Sequence, residues 1–571
     1  MQRNTLMKKI LSLLLVLIMI LALFSACANS SNKKNNGDDK KDNSSTDDKN
    51  NENKEEPIYE IDISNHQIIR QQESSPAYSG AFTRLRNSLS DNLGISANVT
   101  KDSDDSKTDD AEILIGKTNR KESTTALEFL SSKYKKEAFL IGLIDNKIVI
   151  SGLSDNDTVI GVLYFVNNFI EAVQEKDGKI RFKNDKYIGV FKTGDFHASC
   201  NDGQNAVVLE RLETVYKVDD LFSKETFTYG KIIKLEHQSD KSKNGILIAT
   251  NENVKGEPWA IYHSYDDGKT WDVSDPVVDT INKGISSGYQ SFIYELPVDI
   301  GDFKKGTVLF SGCSYGKDAT KLPLFASTDQ GKTWKGVHNI AEGGANNQGG
   351  WTADAVWEPC IVYDDSTKRL YCFYSDEQDP NHNQRLVYKY TDDLKTWSEA
   401  HNAVALGASR PGMAMVTKMG NGQWALVYEY GGNPVDGGSL VFIKFTDDIT
   451  SWNPSDPGKL LATKSGQCFG SSPAIAWTPA GGKCGTLIAT GYGNVNGSKG
   501  TKCDLFMSFD YGQTFVTVKN PIPVTWNEYN RTGYSPGLYV DAEGDVYCIN
   551  DPENYKGGQG EKLMFAKIKI Y

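Results

Sequence analysis

The chain of 571 residues is poor in metal-binding side chains: it holds seven histidines, scattered along its length, and nine cysteines with no Cys-x-x-Cys pair. Neither a zinc site nor a small disulfide framework is expected from such spacing, and no cofactor or metal is called for. One or two disulfides remain open for a chain outside the cell. Arginine is scarce from residue 196 onward, where only Arg211, Arg369, Arg385, Arg410 and Arg531 occur. The net charge is −12, and basic residues cluster nowhere outside the first 56 residues, which excludes nucleic acid as a partner. One long apolar run is present, Ile10 to Phe24, too short to favour a membrane-spanning helix.

That run follows Arg3, Lys8 and Lys9 and ends in Ser25-Ala26-Cys27, the order of an export signal. Ser25-Ala26-Cys27 resembles a bacterial lipobox, with Phe24 in place of the usual Leu. The resemblance implies that Cys27 is lipidated and holds the protein on the outer face of the bacterial membrane. An ordinary secretory signal is the alternative. Residues 1–27 are thus read as a lipoprotein signal. Residues 28–56, "ANSSNKKNNGDDKKDNSSTDDKNNENKEE", carry no large apolar side chain and are read as a solvated spacer.

A chain of this length exceeds one core, so two folded units are expected. Residues 57–195 mix strand and helix patterns: "AEILIGKT" is an apolar run, "STTALEFLSSKY" has helical spacing, "EAFLIGLIDNKIVISG" is a hairpin turning at Asp145-Asn146, and "DTVIGVLYFVNNFIEAV" is a helix with a polar start at Asp157. This is a small α/β domain, similar to non-catalytic domains that precede catalytic ones in secreted bacterial glycosidases. From 196 to 571 short β-rich runs alternate with Gly/Asp/Asn turns. An octapeptide recurs as "SYDDGKTW" from Ser264, "STDQGKTW" from Ser327, "YTDDLKTW" from Tyr390, "FTDDITSW" from Phe445 and "SFDYGQTF" from Ser508. The starts are 63, 63, 55 and 63 residues apart, the signature of a repeated supersecondary unit. These octapeptides resemble the Asp-boxes, or BNR repeats, of sialidase-like β-propellers. Their role is structural, with Asp capping a tight turn and Gly supplying a positive φ. The period implies six units, one of them without a box. The fold expected is mainly β: a six-bladed propeller of four-stranded blades, closed by its first and last strands.

In such a blade the start of the innermost strand and the end of the second meet at one mouth of the channel, opposite the boxes. "WEPCIVYDD" and "RLYCFYSDE" are the first two strands of the third unit, and "RPGMAMVTKM" and "QWALVYEY" those of the fourth. Glu358, Arg410 and Glu429 therefore reach one mouth, with Asp376 and Glu377 ending a second strand. Trp357 and Pro359 bracket Glu358, and Tyr428 and Tyr430 bracket Glu429. Two carboxylates flanking a sugar-sized space are what glycoside hydrolysis requires. Residues 200 to 571 resemble glycoside hydrolase family 93, the secreted exo-1,5-α-L-arabinanases, in "WEPCIVYDD", "SRPGMAMVTKMGNGQWALVYEY", "FGSSPAIAW" and "GYSPGLYVDAEGDVYCINDPEN". That resemblance implies a retaining exo-glycosidase acting on arabinan, with Glu358 as acid/base and Glu429 as nucleophile. Tyr289, Trp351, Asp376, Glu377, Arg410 and Tyr430 are the candidate sugar contacts, and a monomer is expected.

Two other functions stay open. A sialidase would need three arginines around the substrate carboxylate, to be assembled from Arg385, Arg410 and Arg531. A glycan-binding lipoprotein without catalysis would have no need of an acid pair.

Overall fold

The computed structural model describes residues 59–571 apart from 73–74, 105–110, 172–176, 183–189, 193–196, 200–204, 218–226, 254–257, 286, 346–353, 496–502, 523, 525–532 and 552–561. Cys27, the spacer, Trp351 and Arg531 lie outside the described residues.

Six antiparallel sheets follow one another along the chain. The first five blades have four strands each and open on the innermost strands Phe227–Lys234, Ser287–Glu295, Val356–Asp364, Arg410–Lys418 and Cys468–Thr478. The sixth is completed from both ends of the domain. Gly537–Val540, Val546–Asn550 and Lys562–Ile570 are joined by Ala206–Lys217, which pairs with the last strand from Val207↔Ile570 to Lys217↔Lys562. Such closure removes the open edge that a terminal blade would otherwise expose.

The recurring octapeptide makes the turn from third to fourth strand. In the first copy Asp266 Oδ1 accepts the Thr270 N–H at 2.9 Å and Ser264 Oγ accepts the Gly268 N–H at 2.8 Å, with φ of +79° at Gly268. The copies at 327 and 508 repeat these bonds. In "YTDDLKTW" the cap passes to Asp393, which takes the Lys395 and Thr396 N–H groups, while Leu394 adopts the positive φ.

Blades are wedged together by large side chains that only glycine can accommodate. The fully buried Trp259 of the first blade packs at a tilt against Phe310 of the second, ring centroids 5.3 Å apart, and donates its Nε1–H to Tyr289 O at 2.9 Å. A Cβ on Gly288 or Gly312 would come within 2.7 Å of this indole. Overpacking of this kind costs about 1–3 kcal/mol. Gly288→Ala is therefore expected to lower stability by that amount, read as an earlier midpoint in thermal or denaturant unfolding.

Ahead of the propeller, six strands form a mixed sheet in the order Val99–Lys101, Gln67–Arg70, Glu112–Ile115, Lys147–Gly152, Ala138–Ile144, Val190–Lys192. The expected hairpin turns at Asp145 and Asn146, both with positive φ. The helix Asp155–Phe165 begins two residues before Asp157, because Ser154 is its N-cap and Asp157 closes a capping box with it. A helix at Pro76–Ser88, which the sequence patterns did not reveal, packs beside it.

Candidate active site

All six blades share one backbone device where the inner strand enters the channel mouth. Tyr229, Gln290, Glu358, Met413, Ser472 and Ser535, one per blade, have φ between +51° and +65°. In five blades the strand pairing shifts register at this point. Left-handed backbone costs a residue with a Cβ about 1–3 kcal/mol, and a bulge releases an N–H from the ladder. The freed N–H groups are used: each of four bulges donates to a side chain of the preceding blade. Gln290 N–H meets Glu252 Oε2 at 2.5 Å, Glu358 N–H meets Gln290 Oε1 at 3.1 Å, Met413 N–H meets Glu358 Oε2 at 2.8 Å, and Ser472 N–H meets Glu429 Oε2 at 3.3 Å.

Glu358 thus stands on a bulge, partly open to the mouth. Its Oε2 also accepts Ser375 Oγ–H at 2.7 Å, while Oε1 lies 3.4 Å from Gln290 Nε2 and 3.5 Å from Tyr229 Oη. Burial raises its pKa above the usual carboxylate value. Ser375, Met413 and Arg410 oppose that rise, and Glu377 adds to it. Tyr229 is buried, and burial with its acidic neighbours, Glu358, Glu252 and Glu429 among them, holds its hydroxyl protonated far above neutral pH.

Glu429 comes to the same place from the second strand of the fourth blade. It pairs in register with Gly412 on the inner strand, and Arg410 pairs with Gly431. A Cβ built on Gly412 would lie 3.5 Å from Glu429 Oε1 and 3.6 Å from Glu358 Oε2. The two carboxyl groups thus face each other across a glycine, with these oxygens no more than about 7 Å apart.

The other sequence candidates take different places. Arg410 is bonded to Glu377 and, at 2.6 Å, to Gln384 Oε1. Glu377 also accepts the Trp357 indole N–H at 3.2 Å, so it anchors the wall beside Glu358. Tyr289 belongs to that wall through Tyr315, whose ring meets it edge-on at 5.6 Å and stacks on Trp357 at 6.0 Å. Asp376 turns away: it is buried in an ion pair with Arg385 at 3.0 Å, while its neighbour Ser375 faces Glu358. Tyr430 and Tyr428 are also on the far side of their strand from Glu429, packed with Phe442 in the core, as the two-residue period of a strand requires. The ring beside the acids is instead Tyr229, backed edge-to-face by Tyr534 at 5.8 Å, which in turn meets Tyr492 at 5.3 Å. Among the described residues no group of His, Cys, Asp or Glu is arranged to hold a metal ion.

Sequence reasoning overlooked Tyr229, Glu252, Gln290, Ser375, Met413 and Ser472. Aligning the six inner strands on one another would have found the bulges, since a small residue or proline follows each: Gly230, Ser291, Pro359, Ala414, Pro473 and Pro536.

Among solved structures, the α-L-arabinanase of Penicillium chrysogenum in complex with arabinobiose is 31% identical, with a TM-score of 0.52 over 63% of this chain and 98% of its own. The α-L-arabinofuranosidase of Fusarium graminearum, solved with an iminosugar inhibitor, is 28% identical, with a TM-score of 0.53 over 62% of this chain and 98% of its own. The latter is a family 93 enzyme, also solved with arabinobiose. No protein-family model and no curated protein matches the chain. A propeller held in common with these enzymes, with paired carboxylates at its mouth, makes this protein a glycoside hydrolase. Within that class the likeness to the two fungal enzymes is specific. The chain belongs to glycoside hydrolase family 93.

Proposed function

We propose that this glycoside hydrolase acts from the chain end on α-1,5-linked L-arabinan with retention of configuration, outside the cell and tethered through lipidated Cys27. The observation that carries the mechanism is the pair Glu358 and Glu429 on either side of Gly412. Retaining glycosidases hold their carboxyl groups about 5–5.5 Å apart and inverting ones about 6.5–9.5 Å, so an upper limit of about 7 Å favours retention. Glu358, its pKa raised by burial, donates a proton to the departing glycosidic oxygen while Glu429 attacks C1. Glu358 then takes a proton from water, which displaces Glu429 from the sugar. Exo-action and arabinan as substrate rest on the family and on the arabinobiose complexes of the relatives.

Against a sialidase, Arg211, Arg369 and Arg385 are spent elsewhere, on Asp267, Asp392 and Asp376. Against a purely binding protein stands the pair of carboxyl groups flanking Gly412, since binding alone has no need of an acid pair. The test is incubation of the protein, and of its Glu358→Gln and Glu429→Gln forms, with debranched arabinan and a sialylated oligosaccharide. Release of arabinose or short arabino-oligosaccharides, lost in both variants, is expected. Release of sialic acid, or binding without any product, overturns the reading.

The alkaline limb of the activity profile follows Glu358, which must be protonated to act as acid. Arg410 lowers and Glu377 raises its pKa. Arg410→Met is therefore expected to move that limb to higher pH and Glu377→Gln to lower pH, measured as kcat/KM against pH.

A further inference from the structure

Glu358 is gripped by a single side chain of the preceding blade. Gln290 accepts the Glu358 N–H on its Oε1 at 3.1 Å and turns its Nε2 towards Glu358 Oε1 at 3.4 Å. The first bond fixes which way round the amide lies, because only its oxygen can accept. Gln290 is itself held twice over: its backbone is left-handed, with φ of +54°, and its N–H is bonded to Glu252, whose other oxygen accepts Thr228 Oγ–H at 2.8 Å. The oxygens of Glu358 are consequently unequal. Oε2 has two close donors, Ser375 Oγ at 2.7 Å and Met413 N at 2.8 Å, whereas Oε1 has only the longer contacts to Gln290 and Tyr229.

We propose that Gln290, backed by Glu252, is the positioning residue of Glu358, presenting Oε1 as the oxygen that delivers the proton to the leaving group. This rests on the acid role given to Glu358 above. With an amide N–H on one side of Oε1, the carboxylic O–H is directed to the other side, towards the cleft. In the step itself the proton passes from Oε1 to the glycosidic oxygen as the C1–O bond breaks. The bonding pair leaves with that oxygen, and the new carboxylate is met by the amide donor. Among the described residues, Arg410, Glu377, Tyr229, Glu429, the buried thiol of Cys313 and, through the amide, Glu252 are the other charged or titratable groups around it.

The test uses Gln290→Met, which removes both contacts, and Gln290→Glu, which keeps an acceptor for the Glu358 N–H but replaces the donor with a like charge. Each is assayed on arabinobiose and on an aryl α-L-arabinofuranoside whose phenol is acidic enough to leave unprotonated. Misplacement of a catalytic group can cost on the order of 100-fold. A fall in kcat of about that size is expected on arabinobiose, with a much smaller fall on the aryl substrate and an alkaline limb moved upward in both variants. Equal losses on the two substrates, or a limb that stays where it was, overturn the proposal and leave Gln290 a packing residue. Glu358→Gln is the control: full activity there on arabinobiose sinks the acid role itself, whatever the Gln290 variants do.

Discussion

Gly412→Val should abolish cleavage of arabinan while leaving a folded propeller. Gly412 has no left-handed φ to defend, so the backbone accepts a Cβ. Its cost falls on the site. The first added carbon lies 2.7 Å from Gln384 Nε2 and 3.5–3.6 Å from the two carboxylates, in the space where the reacting sugar carbon must stand. Gln384 also holds Arg410 and the Pro411 carbonyl, so pushing it aside loosens the wall carrying Arg410 and Glu377. A displacement of about 1 Å in such a site costs on the order of 100-fold, and a valine both displaces and occupies. A fall of at least about that factor in kcat/KM is expected, with Gly412→Ala intermediate and both still unfolding cooperatively, at most about 1–3 kcal/mol less stable than the parent. Wild-type turnover in the valine form would place the reacting sugar elsewhere in the channel and separate Glu358 from Glu429 in function.

The reach of the sequence differed by level. The inner strands and their mouth were readable because a strand's direction follows from the turn octapeptides, and because the turn at Gly420-Asn421-Gly422 folds Glu429 back to within two positions of Arg410, with Arg410 opposite Gly431 and Glu429 opposite Gly412. Closure by the first and last strands followed from counting units. Side-chain direction was harder. Tyr428 and Tyr430 looked like walls around Glu429, but neighbours on a strand face opposite ways, and their rings went to the core. Asp376 lost to Ser375 on the same ground. The wiring through Gln290 and Met413 has no signature within a single strand and shows only when the six inner strands are aligned on one another. A left-handed residue with a Cβ is disfavoured by its own chemistry, so propensity points away from it, and only the surrounding sheet holds it there. The helix Pro76–Ser88 was hidden differently, by a proline that suits its first turn and a Gly80 that weakens the pattern.

Removing the two carboxylates should separate their roles, which position alone leaves symmetric. Glu358 has the raised pKa of a proton donor, and general acid catalysis contributes about 10²–10⁴-fold. Glu358→Ala should lose about that much on arabinobiose, where the leaving sugar oxygen needs a proton, and far less on an arabinofuranoside with an acidic phenol. Glu429→Ala should fail on both, since without a nucleophile neither bond is displaced from behind. Azide distinguishes them further. In Glu358→Ala the sugar still forms its bond to Glu429, and azide then displaces that carboxylate, so two inversions give a glycosyl azide of retained configuration. In Glu429→Ala azide enters the emptied space and attacks once, giving the inverted azide. The anomeric configuration of each product, read by NMR, assigns the roles; the opposite pair of configurations would exchange them, with Glu429 as acid and Glu358, held by the Ser375 hydroxyl and the Met413 N–H, as the attacking carboxylate.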